Sequence, residues 1–466
     1  KCSNGLYTPY FSNDSLRIGS ILVMAELCLR EDWPGDPLLT DARSLGEQLM
    51  SKGLADLLGD DGSYSEGGLY LGWIMRILVP TWEAMARIDG IEAWDEDKIA
   101  ATLDWVAYQL LPRGDGYFLN RNNCSEFSRP LCYHDTLWNW SQHRLTEPGF
   151  ARWLQEMITG REGFNYGSFS DFPSVVLYRN PGPETPAHDR LGPDRFFPDQ
   201  GLYVYRRGWV GDPIEDSYLF TFQAGNYPGG HWQEDVGQFT LRAFGLPMAM
   251  DHGPGNPAEE TEGHNLPLVN GLGQHNAGSG IGTDGEMTLI SGRGFLRALK
   301  ADMEPAYDDH SPFNDPDFPL PGSDWSWGYD GGNPLERAER WVLLFPGEAE
   351  EMPALFLLDD LRKDGSENDY QWRLHYHPDL ALSVVDDAYR FDNVDGGMAA
   401  RLIAPASDQV AWGTQPFDNG GPDADSELLT LDHTNIDARF LWRLLALPPG
   451  IPEPAFSVER GANGLL

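Results

Sequence analysis

Residues 201–209 read GLYVYRRGW, and from this stretch onward apolar residues recur with a period of two. This is the period of a β-strand, whose successive side chains point to opposite faces of a sheet. Gly, Pro and Asp punctuate the later stretches of the same kind. These are SYLFTFQAG, GQFTLRAFG, PMAMDHG, GFLRALKA, RWVLLFPG, ALFLLDDL, YQWRLHYHP and ARFLWRLLALPPG. No helical pattern of comparable strength lies among them, so we predict a large antiparallel β-sandwich.

The residues upstream of this stretch are predicted to be helical. Five segments have the apolar spacing or cap signals of helices, and paired antiparallel helices form an α/α toroid or solenoid. The segments are 16–30 with Ser12, Asn13 and Asp14 as candidate caps, 41–58, 66–88 with a kink expected at Pro80, 98–111 and 148–159. Residues 160–199 are rich in Pro, Gly and Asp, as in a linker. We predict an α+β multidomain chain, with a helical toroid domain over 1–190 and the β-sandwich over 191–466.

The charge balance limits the partners that the chain can have. It carries 72 acidic and 33 basic residues, a net charge of -39. Such a surface repels nucleic acid and anionic membranes, and no apolar run is long enough to span a bilayer. We therefore expect neither partner. The charge fits equally a protein of saline surroundings and an ordinary acidic secreted protein.

The four cysteines indicate an oxidising compartment. They are Cys2, Cys28, Cys124 and Cys132, and an even number fits disulfides in an extracellular or periplasmic protein. Cys124 and Cys132 bracket a short loop and form the favoured pair, with Cys2–Cys28 as the second. No CxxC pair is present, which argues against a cysteine zinc site.

Residues 230–239, GHWQEDVGQF, carry a more specific pattern. With LPMAMDHGPG and GHNLPLVNG after them, they resemble the H-x-H-x-D-x-x-S-F, V-D-P-G and H-N motifs of heparinase II/III-like polysaccharide lyases. His231, Asp235 and Phe239 match the first motif. ERWVLLFPG…ALFLLDDL and DARFLWRLLALP also resemble a hairpin and the closing strand of that family. The resemblance covers almost the whole predicted sandwich.

The helical part resembles the same family more weakly. DDGSYSEGGLYLGW is similar to the D-G-S-x-x-E-G-x-x-Y segment that supplies a catalytic tyrosine, and the matching position is Tyr70. SNDSLRIGSILVMAELCL is similar to an N-H helix start, where Asn13 matches the asparagine and Asp14 replaces the histidine. More helices precede this asparagine in the family. We therefore expect either a fragment or a short, incomplete toroid.

The resemblance implies β-elimination on a uronic-acid glycan. Such a site must neutralise the uronate carboxylate, remove the C5 proton and protonate the leaving oxygen. By resemblance Asn13 would neutralise the carboxylate, Tyr70 would donate or shuttle the proton, and His231 would act as base or stabiliser. The candidate substrate-binding residues are Arg76, Tyr133, His134 and Trp232. The expected partner is an acidic polysaccharide.

The family often holds a structural metal beside this site. Here Gln233 replaces one histidine ligand, while Asp251 and His264 remain. No cofactor is required by the chemistry, but a structural zinc or calcium ion at Asp251 and His264 stays open, with Glu234 or His252 as compensating ligands.

Simpler interpretations compete with these roles. Asn13 could be only an N-cap and Tyr70 only a core residue. Asp14, Gln233 and the net charge favour a catalytically inactive glycan-binding or structural relative that keeps the lyase fold. A hydrolase using Glu66 and Asp235 is a third reading, without motif support.

Overall fold

Helices occupy the first part of the chain and strands the rest, as the change of period predicts. The computed structural model describes residues 13–112, 118–119, 135–159, 183–225, 233–252, 260–274, 285–308, 333–347, 351–418 and 425–455. Within these ranges the helices are α1 (Asn13–Leu29), α2 (Pro37–Leu57), α3 (Gly67–Asp89), α4 (Glu96–Gln109), α5 (Asp135–Arg144), α6 (Pro148–Thr159), α7 (Ala187–Arg190) and α8 (Glu304–Tyr307).

The helix boundaries follow local capping chemistry. Asp36 accepts a hydrogen bond from the Leu38 amide at 2.8 Å, and Pro37 follows it, so α2 begins four residues earlier than predicted. Asp95 caps α4 through the Lys98 amide at 3.1 Å. The third helix continues through Pro80 and ends at Gly90 in the left-handed conformation.

The strands pair antiparallel throughout the described residues. In chain order they are β1 (Asp194–Phe197), β2 (Leu202–Arg207), β3 (Tyr218–Gln223), β4 (Phe239–Ala243), β5 (Leu246–Ala249), β6 (Leu268–Val269), β7 (Glu286–Arg293), β8 (Leu296–Asp302), β9 (Arg337–Phe345), β10 (Ala354–Arg362), β11 (Asn368–Tyr376), β12 (Ala381–Val385), β13 (Ala388–Asn393), β14 (Gly396–Ala404), β15 (Ala411–Phe417), β16 (Ser426–Asn435) and β17 (Asp437–Leu447). They form sheets of five, eight and four strands, in the orders β1-β2-β3-β4-β5, β12-β13-β14-β17-β10-β9-β8-β7 and β15-β16-β11-β6. Helices plus large antiparallel sheets make the chain an α+β protein.

The five-stranded sheet is buried on both faces. In β2, Leu202 and Val204 pack into the core of the helices, while Tyr203 and Tyr205 pack into the core of the other two sheets. Because successive strand residues point to opposite faces, this sheet joins the two cores. The eight-stranded and four-stranded sheets face each other across the core that Tyr203 and Tyr205 enter. There Trp372 of β11 stacks on Trp442 of β17, with ring centroids 4.4 Å apart.

Two predictions about composition can be compared with the structure. Cys28 carries a free, exposed thiol on α1, so the structure does not support a Cys2–Cys28 disulfide. Cys2, Cys124 and Cys132 lie outside the described residues. Among the helices that the structure describes, none is long and apolar enough to cross a membrane.

Candidate active site

The start of α1 and the start of α3 meet through a buried carboxylate. Glu66 is fully buried just before α3, and its Oε2 accepts a hydrogen bond from the backbone amide of Asn13 at 3.0 Å. Tyr70 lies in the first turn of α3, which begins directly after Glu66. The structure therefore brings the matched asparagine and the matched tyrosine to the same corner of the helical region.

The neighbours of Tyr70 are aromatic and charged. Tyr70 is half-buried, and its ring centroid lies 6.3 Å from that of Trp73, which is exposed. The Arg17 guanidinium lies 5.9 Å from the centre of the Trp73 ring and pairs with Asp14 at 2.7 Å. Asp14, which replaces the histidine of the family, thus has a cation beside its carboxylate.

Arg76 lies on the same helix as Tyr70 but further along it. It is half-buried and follows Tyr70 by six residues, which corresponds to about 9 Å along the axis and about 120° around it. The two side chains therefore leave the helix from different faces.

The segment before α3 is fixed by the strand domain. Gln200 is buried, donates to the Tyr64 carbonyl at 2.7 Å and accepts from the Trp105 indole at 2.9 Å. Asp61 and Asp199 each accept the backbone amide of the other, at 3.0 and 3.1 Å. The β1–β2 turn thus holds the segment that leads into Glu66 and Tyr70.

Four of the predicted site residues, His231, Trp232, Tyr133 and His134, lie outside the described residues. The described chain before His231 ends at Gly225, next to Ala224, whose amide donates to the Gly201 carbonyl at 2.8 Å. Gly201 follows Gln200, the residue that contacts Tyr64. The chain that leads to His231 thus starts from the neighbourhood of the Tyr64–Tyr70 segment.

Asp235 is buried at the other side of this gap. The Gln223 side-chain amide, at the end of β3, donates to the Asp235 carboxylate. The bond ties the segment before β4 to the preceding strand, β3. This contact is consistent with a carboxylate that orients the strand.

Asp251 and His264 lie together, as the metal hypothesis requires. His264 Nδ1 is 3.4 Å from Asp251 Oδ1, and both side chains are buried. Burial alone would raise the pKa of Asp251, but His264 lowers it below its usual value. Burial alone would lower the pKa of His264, but Asp251 raises it.

The donor set at this place fits an ion in part. His264 Nε2 is buried and has no hydrogen-bond partner in the part of the chain that the structure describes, as expected of a ligand atom. Gln233 is also buried. No group of three or more His, Cys, Asp or Glu in the described ranges is arranged to hold a metal, so Asp251 and His264 would need a further donor.

Glu234, one of the two compensating ligands considered from the sequence, is engaged elsewhere. Its carboxylate accepts from the Thr261 amide at 3.0 Å and from the Thr261 hydroxyl at 2.7 Å. Burial raises the pKa of Glu234 to about 7. Its contacts therefore fasten the 260–264 segment to the segment before β4.

The second compensating candidate, His252, belongs to a cluster that sequence reasoning missed. His252 Nε2 lies 3.1 Å from His375 Nδ1, and Ser426 Oγ lies 3.0 Å from both. His375 Nε2 contacts the Glu262 carbonyl at 2.8 Å, so it carries the proton and His375 Nδ1 is an acceptor. The three side chains come from distant parts of the chain, and no spacing in the sequence points to them.

The matched β9–β10 hairpin contacts the segment before β4 and the H-N motif. Arg340 and Asp359 are fully buried and form a two-point pair, with Arg340 Nε to Asp359 Oδ1 at 2.6 Å. Arg340 Nη1 also donates to the carbonyls of Gly237 and Asn265, at 2.7 and 2.6 Å. One guanidinium thereby fixes the backbone of both the segment before β4 and the H-N motif.

Solved structures share this arrangement of helices and sheets. A heparinase III structure matches with a TM-score of 0.64 at 15% identity, over 95% of this chain and 62% of that one. The heparan sulfate lyase HepC from Pedobacter heparinus matches with a TM-score of 0.63 at 12% identity, over 96% of this chain and 61% of that one. A heparinase III with methylated lysines gives 0.62 at 11% identity, over 92% and 58%.

These matches confirm the predicted resemblance at the level of the fold. The chain has a heparinase-like lyase fold and spans about three fifths of the length of these lyases. No protein-family model matches the sequence, and no curated protein matches it. Identities of this size carry the fold and leave the reaction to the site.

Proposed function

We propose that this chain is an extracellular or periplasmic polysaccharide lyase that cleaves a uronic-acid-containing glycan by β-elimination. Its helices would correspond to the α/α toroid of such lyases and its facing sheets to their β-sandwich. The observation that carries the proposal is the contact of Asn13 with Glu66, one helical turn before Tyr70, on a heparinase-like fold. Two residues matched separately to lyase motifs thus lie at one corner.

The reaction would need three functions from the chain's own residues. The side-chain amide of Asn13 would hydrogen-bond the uronate carboxylate, which makes the C5 proton more acidic. His231 would take that proton or stabilise the charge that develops. Tyr70 would pass a proton to the O4 oxygen as its bond to C4 breaks, leaving a C4–C5 double bond. Asp235, through Gln223, would hold the strand that follows His231.

The remaining candidates would bind the substrate or the fold. Arg76, Trp232, Tyr133 and His134 are proposed to line the groove for an acidic polysaccharide. A structural zinc or calcium ion, if bound, would be held by Asp251 and His264, and would fix the two segments that carry them. Because the neighbouring structures are named as heparinase and heparan sulfate lyase, heparan sulfate is the first polymer to test.

The test is a screen of uronate polymers, including heparan sulfate, chondroitin sulfate and alginate, followed by the ultraviolet absorbance of the unsaturated product. Wild type is compared with Tyr70→Phe and His231→Ala, and we expect both to lose the absorbance, by about 100-fold or more in kcat. Tyr389→Phe is the control, because this buried tyrosine lies on β13, among the strands. Activity that survives both substitutions would overturn the assignment.

A catalytically inactive glycan-binding protein is the second candidate. Asp14 in place of the histidine and the net charge of -39 favour it, because extra negative charge at this corner opposes a uronate. Binding of a polymer by calorimetry, without product absorbance, would select this function over the first.

A further inference from the structure

Glu66 is a buried carboxylate that the proposed chemistry does not use. It has no exposed surface and stands at the N-cap position of α3. Its side chain makes no capping hydrogen bond to its own helix. Instead, the Glu66 carboxylate accepts a hydrogen bond from the backbone amide of Asn13, in α1. Glu66 therefore connects two helices rather than ending one.

The buried carboxylate of Glu66 needs contacts that compensate the loss of its hydration. Burying a carboxylate is costly unless hydrogen bonds or positive charge compensate it. The amides in the first turn of a helix lack intrahelical acceptors and form the positive end of the helix dipole. Glu66 lies at this end of α1. Burial, with the Glu66 charge next, also raises the pKa of Tyr64 well above its usual value.

The geometry links Asn13 to the start of the helix that carries Tyr70. The backbone amide of Asn13 is 3.0 Å from the Glu66 carboxylate, and Tyr70 lies in the first turn of α3, which Glu66 directly precedes. The segment before Glu66 is held in turn by Gln200, through the Tyr64 carbonyl. Movement of Glu66 would therefore shift the backbone of Asn13 away from the tyrosine.

We propose that Glu66 is a positioning residue, which clamps the backbone of the first turn of α1 and so sets the Asn13 side chain and the Tyr70 hydroxyl at the spacing that β-elimination needs. This inference rests on the proposed lyase function. Glu66 does not touch the substrate, because it is fully buried.

The experiment compares Glu66→Ala, Glu66→Gln and the control Glu83→Gln in the full chain, on the polymer that the screen identifies. Glu83 is another buried carboxylate, which lies in α3, 17 residues after Glu66. Its partners are Arg144 and Trp140. A misplacement of about 1 Å can cost about 100-fold in rate. We expect kcat to fall about 100-fold in Glu66→Ala with KM within about twofold. Glu66→Gln, whose amide oxygen still accepts the Asn13 bond, should recover about tenfold of this loss.

Hydrogen exchange of the peptide that contains the first turn of α1 gives a second readout, which does not depend on activity. We expect faster exchange there in Glu66→Ala, and wild-type exchange in Glu83→Gln. Unchanged kcat per folded molecule in Glu66→Ala, or unchanged exchange, overturns the inference. Absence of product from wild type with every polymer overturns the lyase function instead, and the exchange comparison still decides whether the clamp exists.

Discussion

Single buried residues decide how the strand domain responds to pH, and His375 is the clearest case. Burial lowers its pKa well below the usual value, and His252 and Arg373 lower it further. An unfolded histidine takes up a proton below about pH 6.5, whereas the folded His375 stays neutral. The stabilisation is therefore present above pH 6.5 and is lost as the pH falls below that value.

We predict that the free energy of unfolding of wild type falls by up to about 1.4 kcal/mol per pH unit from this residue below pH 6.5. His375→Asn keeps a polar group beside Ser426 but cannot be protonated, so this part of the slope should disappear. Urea unfolding at pH 5.0, 6.0 and 7.0 measures it. His188→Asn is the control, because His188 is exposed. Equal slopes for wild type and His375→Asn would contradict the prediction.

At the same scale, the sequence could identify Asn13, Tyr70, Asp251 and His264 only because each lies in a short motif. The contact of Asn13 with Glu66 was not readable from it. The contacts of His375 with Ser426 and His252 were unreadable, because these partners are 51 and 123 residues away. Such contacts depend on sheet register, which a motif does not encode.

Among the elements, the β9–β10 hairpin contributes most to holding the candidate site. Asp359 faces the core and is hydrogen-bonded by Arg340 and by the Trp372 indole at 2.9 Å. Its neighbour Asp360 points to the other face of the same strand, where it pairs with Arg337 at 2.7 Å in partial exposure. The hairpin thus contains a buried and an exposed ion pair at adjacent positions.

We predict that Asp359→Asn destabilises the protein by about 3–5 kcal/mol, since it leaves the buried Arg340 without a countercharge. Asp360→Asn is the matched control and should cost about 1 kcal/mol or less. Urea unfolding followed by tryptophan fluorescence compares the two. Similar losses for both variants would mean that burial of the pair carries no special weight.

The predicted strands show a visible period in the sequence, and several of the elements that were missed do not. Strands β9 and β10 alternate strictly between buried and half-buried positions, so their period is visible. In β12 and β15 most residues are exposed, and no period appears. Helix α5 was missed because Leu137, Trp138 and Trp140 crowd into four residues and form no helical stripe.

For the whole molecule, the first strands pack against the helices as well as against the sheets. The last helix before the sheets, α7, ends at Arg190, and the first strand begins at Asp194. However, β2 and β3 contribute side chains to both hydrophobic cores, including Leu219 toward the helices and Phe220 toward the sheets. The strand LYVYRR shows this as a nearly continuous apolar run, which is typical of a strand buried on both faces.

The net charge of -39 leads to a prediction for the molecule as a whole. Repulsion among its carboxylates opposes the folded state, and salt screens it: the Debye length falls from about 30 Å at 0.01 M to about 10 Å at 0.1 M. We expect the Tm at pH 7 to rise by about 2–4 °C between 0.01 and 0.3 M sodium chloride, equivalent to about 2–4 kcal/mol for a chain of 466 residues. The KM for an acidic polymer should fall over the same range, because the approach of like charges is screened. The control is the same salt titration at pH 4.5, close to the pI of about 4.4, where the net charge is small and the rise in Tm should vanish. A flat or falling Tm at pH 7, measured by calorimetry, would show that ion pairs such as Arg43–Asp89 outweigh the repulsion.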